Sequence, residues 1–311
     1  MPSYNTGKYL RETLDTLVNQ TYEDWELVVA DGGSTDNTLD VLAEYDKKYP
    51  GKIVVVSEND EGPYDATHKA LRRARGEFVL IFPISDGYVD MNWISECVRT
   101  MDENRDVSLV WGIPMDMNEA GEIFEPNYVY AHFLRKDLQK SAGRRRGLAA
   151  KEVAKKLDPR KPGDILAFFK KINPGNIKTF FNMLRTKEVP QKREWFEYWL
   201  KTGQIFPDAN MCVATRVMRE CLPQYTPGTR EPGDWMGFYF NFNSNGYLAY
   251  CIPTPANYGR FHGGQISEKW KKYNDENRLD YYRKLKGIKA SYRRSKDGFK
   301  FRDRNGNEIK G

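Results

Sequence analysis

Apolar and polar positions alternate along the first hundred residues in two periods. Leu10, Leu14, Leu17 and Val18 recur at helical spacing and predict an amphipathic helix over 7–20, ahead of an unbroken apolar run, WELVVA, that reads as a buried strand. Leu39, Leu42 and Ala43 repeat the helical pattern over 38–49, and KIVVVS at 52–57 is a second β-branched run. A third unit follows, with a helix over 65–75 and the strand EFVLIF at 77–82. Strands that are apolar on both faces and separated by helices predict the α/β class: a mostly parallel sheet with helices on both faces. In open sheets of this kind ligands gather beyond the carboxyl ends of the strands.

Composition narrows the picture without redirecting it. At 311 residues, 40% apolar and 14% aromatic, the chain fills a large core. It contains no run of 18 or more apolar residues, and MPSYNTGKYLRE offers neither a basic start nor an apolar export segment, so a cytoplasmic protein is expected. The cysteines Cys97, Cys212, Cys221 and Cys251 stand far apart without metal-site spacing and read as buried free thiols.

Candidate chemistry begins where the first strand ends, in DGGSTDNT. Asp31 projects from the strand end into the crevice, Gly32 and Gly33 let the chain turn, and Ser34, Thr35 and Asp36 suit the start of the next helix. MPSYN at 1–5, ADGGSTDNT at 30–38, SENDEGPYDATHKAL at 57–71 and ARGEFVLIFPISDGY at 74–88 resemble, in order and spacing, the successive motifs of the glycosyltransferase family 2 enzymes. The resemblance implies a GT-A fold, a Rossmann-like nucleotide-binding sheet joined to an acceptor half. It also implies inverting transfer of a sugar from a nucleotide-diphosphate donor.

Carried over by motif, Pro2, Tyr4 and Asn5 match the segment lying against the nucleoside, and Asp31 the aspartate that hydrogen-bonds base or ribose, with Gly32 beside it. Gly62, Tyr64, Asp65 and Lys69 fall in the next donor-site segment. Core packing for Tyr64 and a solvated helix face for Lys69 are equally open readings. The family usually places paired acids after the strand that EFVLIF matches, to hold a divalent cation against the diphosphate. Here the run is Pro83, Ile84, Ser85, Asp86, so Ser85 joins the donor-binding set and Asp86 alone remains to ligate Mg²⁺ or Mn²⁺.

In the second half, FPDANMCVATRVMRE resembles the family's acceptor-side strand and helix. The stretch from REPGDW to YGRFHGG resembles the region that carries the catalytic base, then a Gly-Tyr turn, then a strand leading to Arg and His. Asp234 takes the place of the base, with Glu231 as runner-up; Arg260 is placed at the donor and His262 at the metal or diphosphate. The domains expected are a nucleotide-sugar half over 1–127, a basic and aromatic helical insertion over 128–203, an acceptor-side half over 204–267, and a basic helix with a frayed end over 268–311.

Residues 135–171 hold thirteen Lys and Arg against four Asp and Glu, while ILAFF at 165–169, IKTFFNML at 177–184 and WFEYWL at 195–200 are strongly apolar. Such helices either lie on an anionic membrane, near a lipid-linked acceptor, or pack their aromatics inward and leave their charges in water. No nucleic-acid module accompanies the basic tail, so nucleic acid is not an expected partner. The expected function is therefore transfer of a sugar from a nucleotide donor to a saccharide or lipid-linked acceptor in cell-surface polysaccharide or glycolipid synthesis. Alternatives are a non-catalytic nucleotide or sugar binder and a basic interaction module for membrane or RNA. The family also places an apolar strand directly before the Pro-x-Tyr-Asn segment, whose last residue here is Met1; a start set too late is the expectation.

Overall fold

A computed structural model describes residues 1–127, 130, 189–228, 235–261, 271–294 and 298–309. The first half alternates as its periodicity predicts: β1 (Pro2–Ser3), α1 (Gly7–Val18), β2 (Leu27–Asp31), α2 (Thr38–Lys48), β3 (Ile53–Ser57), α3 (Pro63–Arg73), β4 (Phe78–Leu80), β5 (Gly87–Tyr88) and α4 (Trp93–Glu103). Then come β6 (Val107–Met117), β7 (Ile123–Pro126), α5 (Lys192–Thr202), a 3₁₀ turn (Asp208–Asn210), β8 (Cys212–Ala214), α6 (Thr215–Cys221), α7 (Trp235–Ser244), β9 (Leu248–Arg260) and α8 (Lys271–Arg294).

These strands form two sheets. One is parallel, in the order β1-β2-β3; the other is mixed, in the order β4-β8-β6-β9-β5, with β7 on β6. The third apolar run thus departs from the parallel rhythm: Phe78–Leu80 pairs antiparallel with Cys212–Ala214, a partner 132 to 136 residues away that local periodicity cannot specify. Between β2 and β4 runs a groove of about 810 Å³, with Leu27 and Val28 on one side and Phe78 and Leu80 on the other. At its end the amino group of Met1 donates to Val28 O at 2.8 Å, and burial pushes that nitrogen down to about 5.

The core is aromatic. Trp111 of β6 lies 5.1 Å from Trp195 of α5, which stacks on Phe206 at 5.1 Å between ring centroids. Trp195, Phe196 and Trp199 are all buried, so the WFEYWL helix turns its rings into the protein. The other apolar segments of the basic region lie outside the described residues. The four cysteines are free and buried. The end of the chain departs from the frayed tail expected. Phe299 and Phe301 pack on Phe196 at 4.4 and 5.3 Å, and the guanidinium of Arg304, 4% exposed, donates to Met101 O. Two aromatic anchors and the Asp303 turn, which accepts from the amides of Asn305 and Asn307, dock what charge alone leaves in water. Among the described residues no helix is long and apolar enough to cross a membrane.

Candidate functional site

Helix α1 joins two neighbouring polar regions. At its start the Gly7 amide donates to Asp36 Oδ2 at 3.0 Å and the Thr6 amide to Thr38 Oγ1 at 2.9 Å, fixing the helix to the loop beyond β2. Two turns on, Thr13 donates to Asp86 O at 2.8 Å, and Thr16 accepts from the Tyr88 amide at 3.1 Å. Six residues at the helical rise separate the loop from the Asp86 turn by about 9 Å.

The loop is built around Asp31, which is 1% exposed. Its carboxylate accepts from the amides of Gly33 and Ser34 at 3.2 and 3.0 Å, and from the hydroxyls of Ser34 and Ser57. Burial opposes ionisation there, but these hydrogen bonds outweigh it and hold the carboxyl below its ordinary value. Asp31 therefore shapes the turn. Asn5, in the left-handed region at φ 51°, accepts from the Thr35 amide at 2.8 Å and holds the loop's far side. Tyr4 stands 62% exposed beside it, and Pro2 belongs to β1. Asp60 lies over Gly32, where a Cβ would meet Oδ2 at 2.5 Å, so any side chain there would displace the Asp60 carboxylate. Lys69 bridges Asp65 at 3.1 Å and Glu58 at 3.5 Å and donates to Asn59 O at 2.8 Å, clamping the 58–61 segment onto this turn. Tyr64 is a core residue whose hydroxyl donates to Pro223 O.

The second region is a cavity of about 450 Å³, a usual volume for a small-ligand site. Asp86, Asp208 and Arg260 supply charge to its wall and Phe206, Trp235 and Tyr239 supply rings. Ser85 holds φ 80°, a strained backbone for a residue with a side chain, and this turn presents Asp86 to the cavity. The Asp86 carboxylate accepts from the Arg260 amide at 3.3 Å. Burial raises the carboxyl to about 7 against that hydrogen bond, and Asp208 adds like-charge repulsion. Asp208 faces the same space: it is open to the cavity yet crowded by protein, and the desolvation raises its carboxyl too. Asn210 secures the 3₁₀ turn behind it by pairing with Gly112 N and O at 3.2 and 3.1 Å and donating to Asn257 at 2.8 Å.

Arg260 lines the cavity, but its guanidinium is committed elsewhere. It pairs with Glu12, donates to Glu119 O at 3.0 Å and stacks over Tyr9 at 5.0 Å, bracing β9 against α1. Asp31 does not line the cavity that contains Asp86. Asp234, Glu231 and His262 lie outside the described residues. Sequence reasoning missed Asp208, Asp60 and Glu12. The available signal for Asp208 was a Pro-Asp pair just ahead of a strand; Glu12 and Asp60 carried none, because they matter through contacts with distant residues.

Residues 1–148 match the family described as "Glycosyl transferase family 2". Over 113 residues the chain is 36% identical to the poly(ribitol-phosphate) beta-N-acetylglucosaminyltransferase TarS of Staphylococcus aureus, an alignment covering 35% of this chain and 20% of that protein. The chain thus spans only a fifth of that relative's length. Two solved structures share the fold. S. aureus TarS 1-349 in complex with UDP-GlcNAc aligns at TM-score 0.51 and 18% identity, over 86% of this chain and 59% of that one. The mannosyltransferase PcManGT from Pyrobaculum calidifontis, in complex with GDP-Man and Mn²⁺, aligns at TM-score 0.53 and 16% identity, over 91% and 61%. The fold is GT-A.

Proposed function

We propose that this chain, whose residues 1–148 belong to glycosyltransferase family 2, transfers a sugar from a nucleotide-diphosphate donor to a hydroxyl of a cell-surface polymer or glycolipid precursor, with inversion. The observation that carries this reading is the single helix α1 holding the Asp31 loop at one end and the Asp86 turn about 9 Å further on. A nucleoside seated at the loop, with Tyr4 available for the base, directs its diphosphate along that span and its sugar into the cavity. Asp31, Gly32, Asn5, Asp65 and Lys69 act by shaping the loop, and Arg260 by holding the cavity wall.

A divalent cation fits the donor set. Asp86 and Asp208 are hard oxygen ligands lining one space, and burial holds each above its ordinary value. Asp86 would hold the ion, with His262 assigned by resemblance, and Mg²⁺ or Mn²⁺ bound there would supply positive charge toward the departing diphosphate. Asp234 takes the proton of the acceptor hydroxyl as its oxygen bonds to the anomeric carbon and the bond to the diphosphate oxygen breaks, the electron pair leaving with the nucleotide. Trp235, the next residue, lines the cavity. We place the reaction in the cytoplasm, where nucleotide sugars are made.

The test is a panel of nucleotide diphosphates and nucleotide sugars scored by melting temperature and donor turnover, with Mn²⁺ and with EDTA. Stabilisation by one nucleotide family, with Mn²⁺-dependent donor turnover, is the expected result. Binding without turnover fits a non-catalytic relative, and no binding by any nucleotide ends the proposal.

A further inference from the structure

Strand β3 ends the parallel sheet, in the order β1-β2-β3, and none of the described strands pairs with its far edge. Leu27 N donates to Lys52 O at 2.8 Å and Glu58 N to Asp31 O at 2.9 Å, so Lys52, Val54, Val56 and Glu58 turn their backbone groups inward to β2. Ile53, Val55 and Ser57 turn theirs outward, and no described residue bonds to them. Val54 and Val55 are 36% and 37% exposed and Ser57 is exposed, so the edge is open. An open edge of β-branched residues is a template for another strand unless a proline, a bulge or a charge within it prevents pairing. IVVVS has none of these: its register on β2 runs without a break, and the nearest charges stand just outside it, at Lys52 and Glu58.

Those charges make the edge complementary to itself. Lys52, Val54, Val56 and Glu58 share one face of the strand. Laid antiparallel on a second copy with Val55 on the two-fold axis, that face sets Lys52 opposite Glu58 and Val54 opposite Val56, and repeats both pairs beyond the axis. These are the closely spaced positions, about 4.5 Å between Cα atoms, where facing side chains meet best. The outward residues complete the match: Val55 faces Val55 and Ile53 faces Ser57, each pair exchanging N–H to O=C bonds in both directions. Moving the axis one residue either way shortens the overlap and sets a charge against a valine, Lys52 against Val56 or Glu58 against Val54. Full overlap and charge match therefore coincide in one register. Both charges are within reach: the Glu58 side chain is 49% exposed beside Lys69, and the Lys52 ammonium lies 4.7 Å over the Trp25 ring.

We propose that this chain forms a two-fold dimer through β3, joining two three-stranded sheets edge to edge in the register centred on Val55. Self-complementarity favours a second copy over an unrelated strand. The pairing sets Lys52 of each copy beside Glu58 of the other, and Glu58 in turn holds Lys69 at the Asp31 loop, so the interface adjoins both loops.

The test is sedimentation velocity of the full chain across a concentration series, at about 50 mM and about 500 mM salt. The parent is expected to dimerise, and the dimer to weaken as salt rises. Lys52→Glu and Glu58→Lys each place like charges at both symmetry-related pairs, and each variant alone is expected to raise the dimer Kd about tenfold at the lower salt. An equimolar mixture of the two restores opposite charges at both pairs and is expected to return dimerisation to within about threefold of the parent. Misfolding of either variant cannot be repaired by mixing, so this arm separates a lost contact from a lost fold. Val55→Lys sets two ammonium groups against each other on the axis and is expected to stay monomeric wherever the parent dimerises. A parent that remains monomeric at about 100 μM overturns the proposal, and is the result expected if the edge serves a different protein. A dimer indifferent to both reversals, or a mixture no tighter than the separate variants, overturns it equally.

Discussion

Replacing Asp86 by Asn keeps the shape of the side chain and its capacity to accept from the Arg260 amide, and removes only the charge. In the folded protein the carboxyl is raised to about 7, first by burial and then by repulsion from Asp208. The unfolded chain ionises it near 4, so over the interval from about 4 to about 7 the folded state holds a proton that the unfolded state has lost. Stability therefore falls as pH rises through that window and the penalty is constant above it. Three pH decades at about 1.4 kcal/mol each set an upper bound of about 4 kcal/mol, and relaxation of the cavity brings the expected cost to about 1–3 kcal/mol. Urea unfolding in EDTA at pH 8 is expected to find Asp86→Asn more stable than the parent by that amount, with the gap closing by pH 4.5. Saturating Mn²⁺ reverses the order, since only the parent gains from the cation; a hundredfold excess over Kd adds about 2.7 kcal/mol. A variant no more stable than the parent at pH 8, or a gap that persists unchanged at pH 4.5, refutes the reasoning.

Three further outcomes follow from the same geometry. Lys69→Met releases Asp65, Glu58 and the Asn59 carbonyl, so the apparent nucleotide affinity is expected to drop by about tenfold while turnover at saturation holds, as kinetics across donor concentration will show. Asn210→Ala strands Gly112 N and O inside the core and is expected to cost about 2–3 kcal/mol in urea unfolding, with donor turnover falling as Asp208 loses its support. Joining five alternating Val and Thr residues to Met1 fills the groove between β2 and β4 with a strand and converts a buried amine into an amide, so the melting temperature is expected to rise by several degrees; no rise means that the groove does not accept a strand.

Periodicity alone placed α1, α2, α3, β2 and β3 within two or three residues, the helices and β2 because each buries one stripe or run of its own, whereas β3 buries Ile53 and leaves Val54 and Val55 exposed. The turn at Gly32 and Gly33 and the exposure of Asp86 to a cavity were legible in the same way, as consequences of where strands end. Pairing across long separations was not legible. EFVLIF joined Cys212–Ala214 rather than the parallel sheet, and Phe299, Phe301 and Arg304 docked where charge counting left a loose tail.

The residue types at the site were foreseeable from the chain, but their allegiance was not. Asp31 and Lys69 are spent on holding loops and Arg260 on bracing Glu12, because a charged group removed from water takes whatever partner folding brings within reach. Asp86 and Asp208, brought to one cavity from positions 122 residues apart, show the converse: two acids left lining the same space. The sequence by itself determined the alternation of elements and the chemistry available at the strand ends, since both depend on local spacing. Tertiary structure alone decided which charges were neutralised internally and which stayed turned toward a ligand, because that depends on distances between parts of the chain that no local pattern relates.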